Sequence, residues 1–569
     1  MSRSLALASW GAAILFGALA AIDTQSLAQW FTHPLLAERS GVAIREVSWQ
    51  GAQWFRIACV VAACAWVVLP RVICRLCASA TPARTDPDAG ATTRIRLRWV
   101  LFVVIALGLA LRLQRMGESF WFDELAALLD YAQYGVGPVI GSYFVQSNHV
   151  LHTVATAVVV DVADGANEIL LRIPALLAGV LVIGAFARLG IEAARWRTAT
   201  LPAQATEFAL AALCAACGAL LPICILESVE ARGYSMVILF AALATALLLR
   251  AWRTASPLAL CAYGVVCALG VWTHLTFIAL PMGHAVVALA RRRDRTTRRQ
   301  AAMTLLALAL AGATAMAMLS PLLPDLLRIR GEFRALDGNE PSLLSAEGLR
   351  ILLGLGGSWW LDAIPGLALA LIGVAHTGRD RCRGVPLALA LAGVPLIVLG
   401  TALGGSWMYA RFSLLALPGV ALAISMGALD MAALARTRQR HRLLIVGAAA
   451  LVLMWSSTSL LLPPKQPIRD AVDFVDAHAS PGATIACAGL PDNVPAYYGL
   501  LLGHTIADAG VGGCDLASVS PAPDWLIVLY PRSVGPAASE ALSRGWDLAA
   551  KFEGWVDWDN GAVLVYKRR

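Results

Sequence analysis

Lysine is almost missing from this chain of 569 residues, occurring only as Lys465, Lys551 and Lys567. Charge of any sign is scarce, at 14% of residues against 59% hydrophobic, and the mean hydropathy is +0.68. So little charge excludes an ordinary water-soluble globule, and apolar runs of membrane-spanning length recur through the first four-fifths of the chain. The net charge is +8, but the basic residues are arginines gathered in short clusters between apolar segments, where they read as topology signals. That distribution argues against nucleic acid as a partner. The arginine preference in the membrane part is assigned to genome composition. Eight of the twelve cysteines, Cys59, Cys64, Cys214, Cys217, Cys224, Cys261, Cys267 and Cys382, stand in or beside apolar segments, where cysteine acts as a small hydrophobe. Cys74 and Cys77, beside Arg71 and Arg75, form a CxxC that is weak evidence for metal.

What is present reads as a polytopic α-helical membrane protein of about 13 transmembrane helices followed by a small C-terminal α/β extracytoplasmic domain. Ser4 to Ile22 is too long for a removed signal and lacks a small-residue cleavage pattern, so it reads as a retained first helix with the amino terminus in the cytoplasm. A second helix, about Trp54 to Leu69, returns to Arg71 and Arg75. Residues 1–97 are therefore an extra hairpin plus a cytoplasmic linker, Thr81 to Arg98, rich in proline and arginine. The next helix, Trp99 to Leu113, must run outward and delivers Phe120-Trp121-Phe122-Asp123-Glu124 to the outer face.

Between Gly117 and Leu170 the one apolar run, Val150 to Val162, is shorter than the roughly 20 residues of a span, and the inside markers Arg188, Arg195 and Arg197 make it an interfacial helix. Spans are then expected at Arg172–Arg188, Phe208–Leu226, Tyr234–Leu249, Leu258–Trp272, Phe277–Leu289, Ala301–Leu319, Ala363–Val374, Val385–Leu403, Ser413–Leu434 and Leu443–Leu462. The run Arg291, Arg292, Arg293, Arg295, Arg298 and Arg299 is the strongest inside marker. Pro321 to Arg350 is a long outer loop. The odd number of spans puts residues 463–569 in the periplasm or outside the cell. In that domain Pro467–His478 and Ser539–Leu548 read as helices, and Ala483–Cys487, Trp525–Leu529 and Ala562–Tyr566 as strands. Cys487 and Cys514 are its only cysteines and, in an oxidising compartment, a candidate disulfide.

Sorting polar residues by face gives the functional signal. Asp123, Glu124, Asn148, His149, His152, Arg172, Glu227, Glu230, Arg232, Tyr234, His274, Tyr409 and Arg411 all map to the outer ends of spans or the outer loops. Ionisable groups at membrane depth are costly and face a protein interior or a water-filled cavity. Any single charge among them reads more often as an interfacial anchor than as a catalyst, and Tyr234 and Tyr409 read first as aromatic-belt residues. Carboxylates and arginines together suit proton acceptance beside a phosphate leaving group.

Several motifs resemble, in order, the polyprenyl-phosphate-sugar-dependent glycosyltransferases of the C-type superfamily, the group of protein mannosyltransferases and the lipid A aminoarabinose transferase. They are Leu111-Arg112-Leu113 through Phe120-Trp121-Phe122-Asp123-Glu124, Asn148-His149-Val150-Leu151, Leu171-Arg172-Ile173-Pro174, Ser228-Val229-Glu230-Ala231-Arg232-Gly233-Tyr234, Trp272-Thr273-His274 and Tyr409-Ala410-Arg411-Phe412. The resemblance spans about residues 98–462, with a first outer loop at 114–170 and a mobile outer loop at 321–350. The hairpin before residue 98 and His149-Val150-Leu151 in place of His-Pro-Pro depart from the pattern. The resemblance implies an inverting transfer, in the inner membrane, from a polyprenyl-phosphate-linked sugar to a lipid, glycan or protein acceptor. Asp123 would be the base, with Glu124 and Glu230 orienting it or the acceptor, or holding a divalent metal. Arg232, Arg411 and Arg172, in falling order, would bind donor phosphate, with Arg172 reading equally as an anchor at a helix end. His149, Asn148, His274, Tyr234 and Tyr409 would contact substrate. The alternative is a transporter or flippase, which predicts charges near the middles of spans and two-fold repetition; a scaffold without chemistry leaves the carboxylates without a purpose.

Overall fold

A computed structural model describes residues 2–78, 91–145, 147–163, 167–196, 203–329, 368–375, 381–404, 410–434, 463–488, 497–498, 506–508, 523–531, 542, 544–556 and 561–569. Among the described residues, six helices are long and apolar enough to cross a membrane: Arg3–Ala21, Glu46–Ala78, Glu168–Trp196, Tyr234–Thr254, Arg295–Leu319 and Arg411–Ala432. Shorter apolar helices, among them Pro257–Thr273 and Leu275–Ala290, pack between them. The protein is a multi-pass membrane protein. Its outer shell carries Leu7, Ile14, Ile57, Phe102, Leu177 and Leu181 exposed, a surface that suits lipid and would be costly in water.

Sequence rules account for where the helices begin and break. Asp294, set among six arginines, caps Arg295–Leu319 by accepting the Thr297 N–H at 2.9 Å. Ser2 caps the first helix through the Leu5 N–H in the same manner. Proline lacks an amide hydrogen and opens new helices where the hydropathy reading runs straight through. The expected span Phe208–Leu226 is split into Ala203–Leu220 and Pro222–Leu226, and Val385–Leu403 into Arg381–Ala390 and Val394–Gly404. Part of the expected linker is helical, because the third long helix begins at Ala91 and runs to Leu113. The short helix is Val150–Ala163, about 21 Å long at 1.5 Å per residue, with His152, Thr153 and Thr156 buried and Val162 exposed. Small residues let helices close up: a Cβ on Gly190 would lie 2.5 Å from the Leu210 carbonyl oxygen.

Among the described residues, the C-terminal domain holds a five-stranded mixed sheet, order β2-β1-β3-β5-β4, formed by β1 (Ile485–Ala488), β2 (Ile506–Asp508), β3 (Trp525–Val528), β4 (Trp546–Phe552) and β5 (Val563–Arg568). β1 runs parallel to β2 and β3, while β5 is antiparallel to β3 and β4. Helix Ile468–His478 lays Ile468, Ala471, Val472 and Val475 onto the sheet. The helix expected over Ser539–Leu548 does not extend to Leu548. β4 starts at Trp546, whose ring joins Leu526, Val528 and Leu542 in a buried cluster, and pairing with β5 decides the local structure. Cys487 is buried in β1, while Cys514 lies outside the described residues, as do Tyr409, most of the 321–350 loop and the span expected at Leu443–Leu462. The start of that loop is helical, Leu323–Ile329, and Asp325 there forms a buried ion pair with Arg45 at 2.9 Å.

Candidate active site

The adjacent carboxylates Asp123 and Glu124 open the short helix Phe122–Leu129, where the positive end of the helix dipole favours them. Neighbours in a helix point about 100° apart, so the two serve different surroundings. Glu124 turns inward and is buried. Its Oε1 accepts Nε of Arg172 at 2.9 Å and the Ala231 N–H at 2.5 Å; its Oε2 accepts Nη2 of Arg172 at 2.7 Å and the Trp121 N–H at 3.2 Å. Arg172 also donates from Nη1 to the carbonyls of Met116 (3.1 Å) and Glu118 (2.6 Å), and from Nη2 to that of Ser119 (3.1 Å). All five guanidinium N–H groups are thus directed at the protein, and none remains for a phosphate. Arg172 and Glu124 pin the first outer loop to the Glu168–Trp196 helix and to the turn holding Ala231.

Asp123 turns the other way and keeps 16% of its side chain exposed. Its Oδ2 lies 3.2 Å from Nη1 of Arg232 and 3.1 Å from Nη1 of Arg411. Burial alone would raise its pKa, but the charges of Arg232, Arg411 and Lys465 outweigh it and hold the carboxyl below its ordinary value, so it is ionised at neutral pH.

Arg232 is fixed by a second bond from Nη1 to the Asp123 carbonyl (3.1 Å) and by contact of Nη2 with Nε2 of His149 at 3.1 Å. Nδ1 of His149 faces the Gly233 N–H at 2.9 Å. Burial, then the charge of Arg232, keeps this imidazole well below its ordinary pKa, so it is neutral and accepts at only one of these two nitrogens. Glycine is needed at 233, since a Cβ there would sit 2.9 Å from that Nδ1 and 2.8 Å from Thr273 Cγ2. His274 is held by Thr276, its ring 4.8 Å from that of His149 and 4.9 Å from Phe412. Asn148 donates to the carbonyls of Val139 (3.1 Å) and Ser142 (3.2 Å), a loop-bracing role. Tyr234 borders the cluster, with Arg232 5.7 Å and Arg411 6.0 Å from its ring centre.

Glu230 is paired through both oxygens, each 2.8 Å from Nζ of Lys465. Lys465 lies 3.7 Å from the centre of the Trp121 indole, over which Arg411 also stands at 5.4 Å. Glu227, buried beside this pair, has its carboxyl pushed up by burial first and by the charge of Glu230 second, against the pull of Lys465, Arg411 and Arg232. Among the described residues, no partner meets Trp121 Nε1, the Tyr234 hydroxyl, Arg232 Nε or Glu227 Oε2, all buried. Three donors and one carboxyl oxygen are thus left for something else to satisfy.

Sequence reasoning missed Lys465 and Trp121. The scarcity of lysine was the available signal, since a residue used three times in 569 positions stands here immediately past the last apolar run. No group of three His, Cys, Asp or Glu able to bind a metal ion occurs among the described residues. Glu124 and Glu230 are each committed to a cation.

Known proteins offer a fold comparison only. No protein-family model matches the sequence, and no curated protein does. Among solved structures, the chain is similar to ArnT from Cupriavidus metallidurans in the apo state, at 14% identity over 84% of this chain and 98% of that one, TM-score 0.48. It is similar to the oligosaccharyltransferase AglB from Archaeoglobus fulgidus in complex with an inhibitory peptide and a dolichol-phosphate, at 12% identity over 78% and 70%, TM-score 0.45. It is also similar to the arabinosyltransferase EmbB from Mycobacterium smegmatis, at 15% identity over 71% and 41%, TM-score 0.41. The roles of individual residues stand on the geometry above.

Proposed function

We propose that the protein is an inverting glycosyltransferase that moves a sugar from a polyprenyl-phosphate-linked donor to a lipid, glycan or protein acceptor at the outer face of the inner membrane. The observation that carries this reading is the Asp123 carboxylate between Arg232 and Arg411, bordered by the unpartnered Trp121 Nε1 and Tyr234 hydroxyl.

A sugar on a polyprenyl phosphate already has a good leaving group. The acceptor oxygen attacks the anomeric carbon from the face opposite the phosphate, and the bond from that carbon to the phosphate oxygen breaks with its electron pair. The acceptor proton passes to Asp123 as the new bond forms. The departing phosphate gains charge, which Arg232 and Arg411 can share by forked hydrogen bonds. Before the donor binds, both arginines spend their charge on Asp123 and weaken it as a base. A phosphate that draws the guanidiniums towards itself makes Asp123 a better proton acceptor when the acceptor is in place. Glu124 supports the loop through Arg172, and Glu230 is held by Lys465.

The amino terminus is assigned to the cytoplasm and the 463–569 domain to the periplasm or cell exterior, on the side of Asp123. Membranes containing the protein, supplied with labelled polyprenyl-phosphate sugars, should move label to an acceptor with inversion at the anomeric carbon. Retention of configuration would overturn the single displacement; absence of transfer from any such donor would overturn the reading.

A further inference from the structure

The C-terminal domain does more than sit beside the membrane body: its first residues are built into the loop that carries Asp123. Pro463 accepts Nη2 of Arg115 at 3.0 Å through its carbonyl, and Gln466, fully buried, accepts the Ser119 hydroxyl at 2.9 Å and the Phe122 N–H at 3.2 Å. Tyr498 accepts the Phe120 N–H at 2.7 Å. Arg469 pairs with Glu168 at 3.0 Å and donates to the Gly117 carbonyl at 2.6 Å. The backbone leading into the Asp123 helix is therefore shared between this domain, which meets Gly117, Phe120 and Phe122, and the Arg172–Glu124 pair, which meets Met116, Glu118, Ser119 and Trp121.

Lys465 is held in the middle of that seam. Its carbonyl accepts the Val556 N–H at 3.2 Å, and glycines at 554 and 561 let the domain close on it, since a Cβ there would lie 2.9 and 2.5 Å from the same oxygen. Its ammonium reaches Glu230 and the face of Trp121. Asp123 and Glu230 bring two negative charges to the site, and Arg232 and Arg411 alone would only balance them. With the buried Glu227 carboxyl kept protonated by its surroundings, Lys465 leaves the cluster with a surplus positive charge, which is what an anionic lipid phosphate requires.

We infer that Lys465 is a positioning residue for the transfer, delivered by the folded C-terminal domain, which neutralises Glu230 and completes a cationic ring for the phosphate of the lipid-linked donor. This rests on the glycosyltransferase reading and deepens it. Without Lys465, an unpaired Glu230 carboxylate would repel that phosphate. The groups facing Asp123 are Arg232, Arg411, Lys465 and Tyr234, so losing one cation also makes Asp123 easier to protonate.

The test compares K465M and K465R with the unmodified protein and D123N, in membranes supplied with labelled polyprenyl-phosphate sugar. K465M should raise the donor KM by roughly tenfold, the scale of a lost charge-assisted hydrogen bond, and move the acid limb of the pH profile to higher pH. K465R, keeping the charge, should restore most of both. Chymotrypsin protection of the C-terminal domain shows that it is still docked; if K465M loses protection, K465Q takes its place in the comparison. A KM and pH profile unchanged in the protected, uncharged variant, with D123N inactive, would overturn the inference and leave the function standing. Full transfer by D123N would instead overturn the function.

Discussion

Replacing Arg172 with methionine separates a structural arginine from a phosphate-binding one. The Arg172 side chain is 3% exposed and that of Glu124 is 0% exposed, and the pair shares two hydrogen bonds of 2.9 and 2.7 Å. Removing one partner of such a pair leaves a buried charge uncompensated and costs about 3–5 kcal/mol. Three carbonyls, of Met116, Glu118 and Ser119, lose a donor in the same change, at about 1–3 kcal/mol for each that stays dry. The R172M protein should therefore lose several kcal/mol, seen as a lower melting temperature in detergent and a reduced yield of monodisperse protein. Converting both partners, R172M with E124L, should recover part of that loss, because the uncompensated carboxylate is gone. Recovery stays incomplete, since the Ala231 and Trp121 amides still lack their acceptor. An R172M protein as stable as the parent but with weakened donor binding would refute this reasoning and return Arg172 to the phosphate.

Three further outcomes follow from the same geometry. The Asp123 carboxyl is held below its ordinary value, so activity should stay level through neutral pH and fall only as the pH drops through that lowered pKa. The stability this group contributes is lost over the same acid range. R411M removes one of the charges responsible, so its acid limb should move to higher pH in a rate-against-pH series. Glu227 has a raised pKa, and the stability tied to its neutral form is lost as pH rises through that value. E227Q, neutral at every pH, should be more stable than the parent in alkaline buffer and equal to it at acid pH, in thermal melts across the range. For topology, a reporter fused after Arg293 should read cytoplasmic and one after Arg569 periplasmic; the same side for both would contradict the assigned faces.

Much of the fold was legible because membrane helices announce themselves by apolar length, and the arginine clusters mark their ends. The reading failed where proline restarts a helix inside an apolar run, as at Pro222, since hydropathy does not register a missing amide hydrogen. It failed also at Trp546, where strand pairing with β5 overrides a helix-like pattern. Within the site, the sorting of residues by face collected Asp123, Glu230, Arg232 and Arg411, which the fold does bring together. It ranked Arg172 below Arg411 but kept both for the phosphate, because both are arginines at outer helix ends. Only the direction of each guanidinium distinguishes one committed to Glu124 from one facing Asp123. Lys465 was out of reach of motif reading, since it enters from the C-terminal domain across a separation of more than two hundred residues from its partner Glu230.

The central claim is that Asp123 takes the proton of the acceptor hydroxyl. D123N preserves shape and removes that base, and the decisive measurement is single-turnover transfer from a labelled polyprenyl-phosphate sugar, with donor binding followed in parallel. The account predicts donor binding kept or tightened, as Arg232 and Arg411 are released towards the phosphate, and a transfer rate lower by about 10²–10⁴-fold. Transfer at the parent rate by D123N would contradict it.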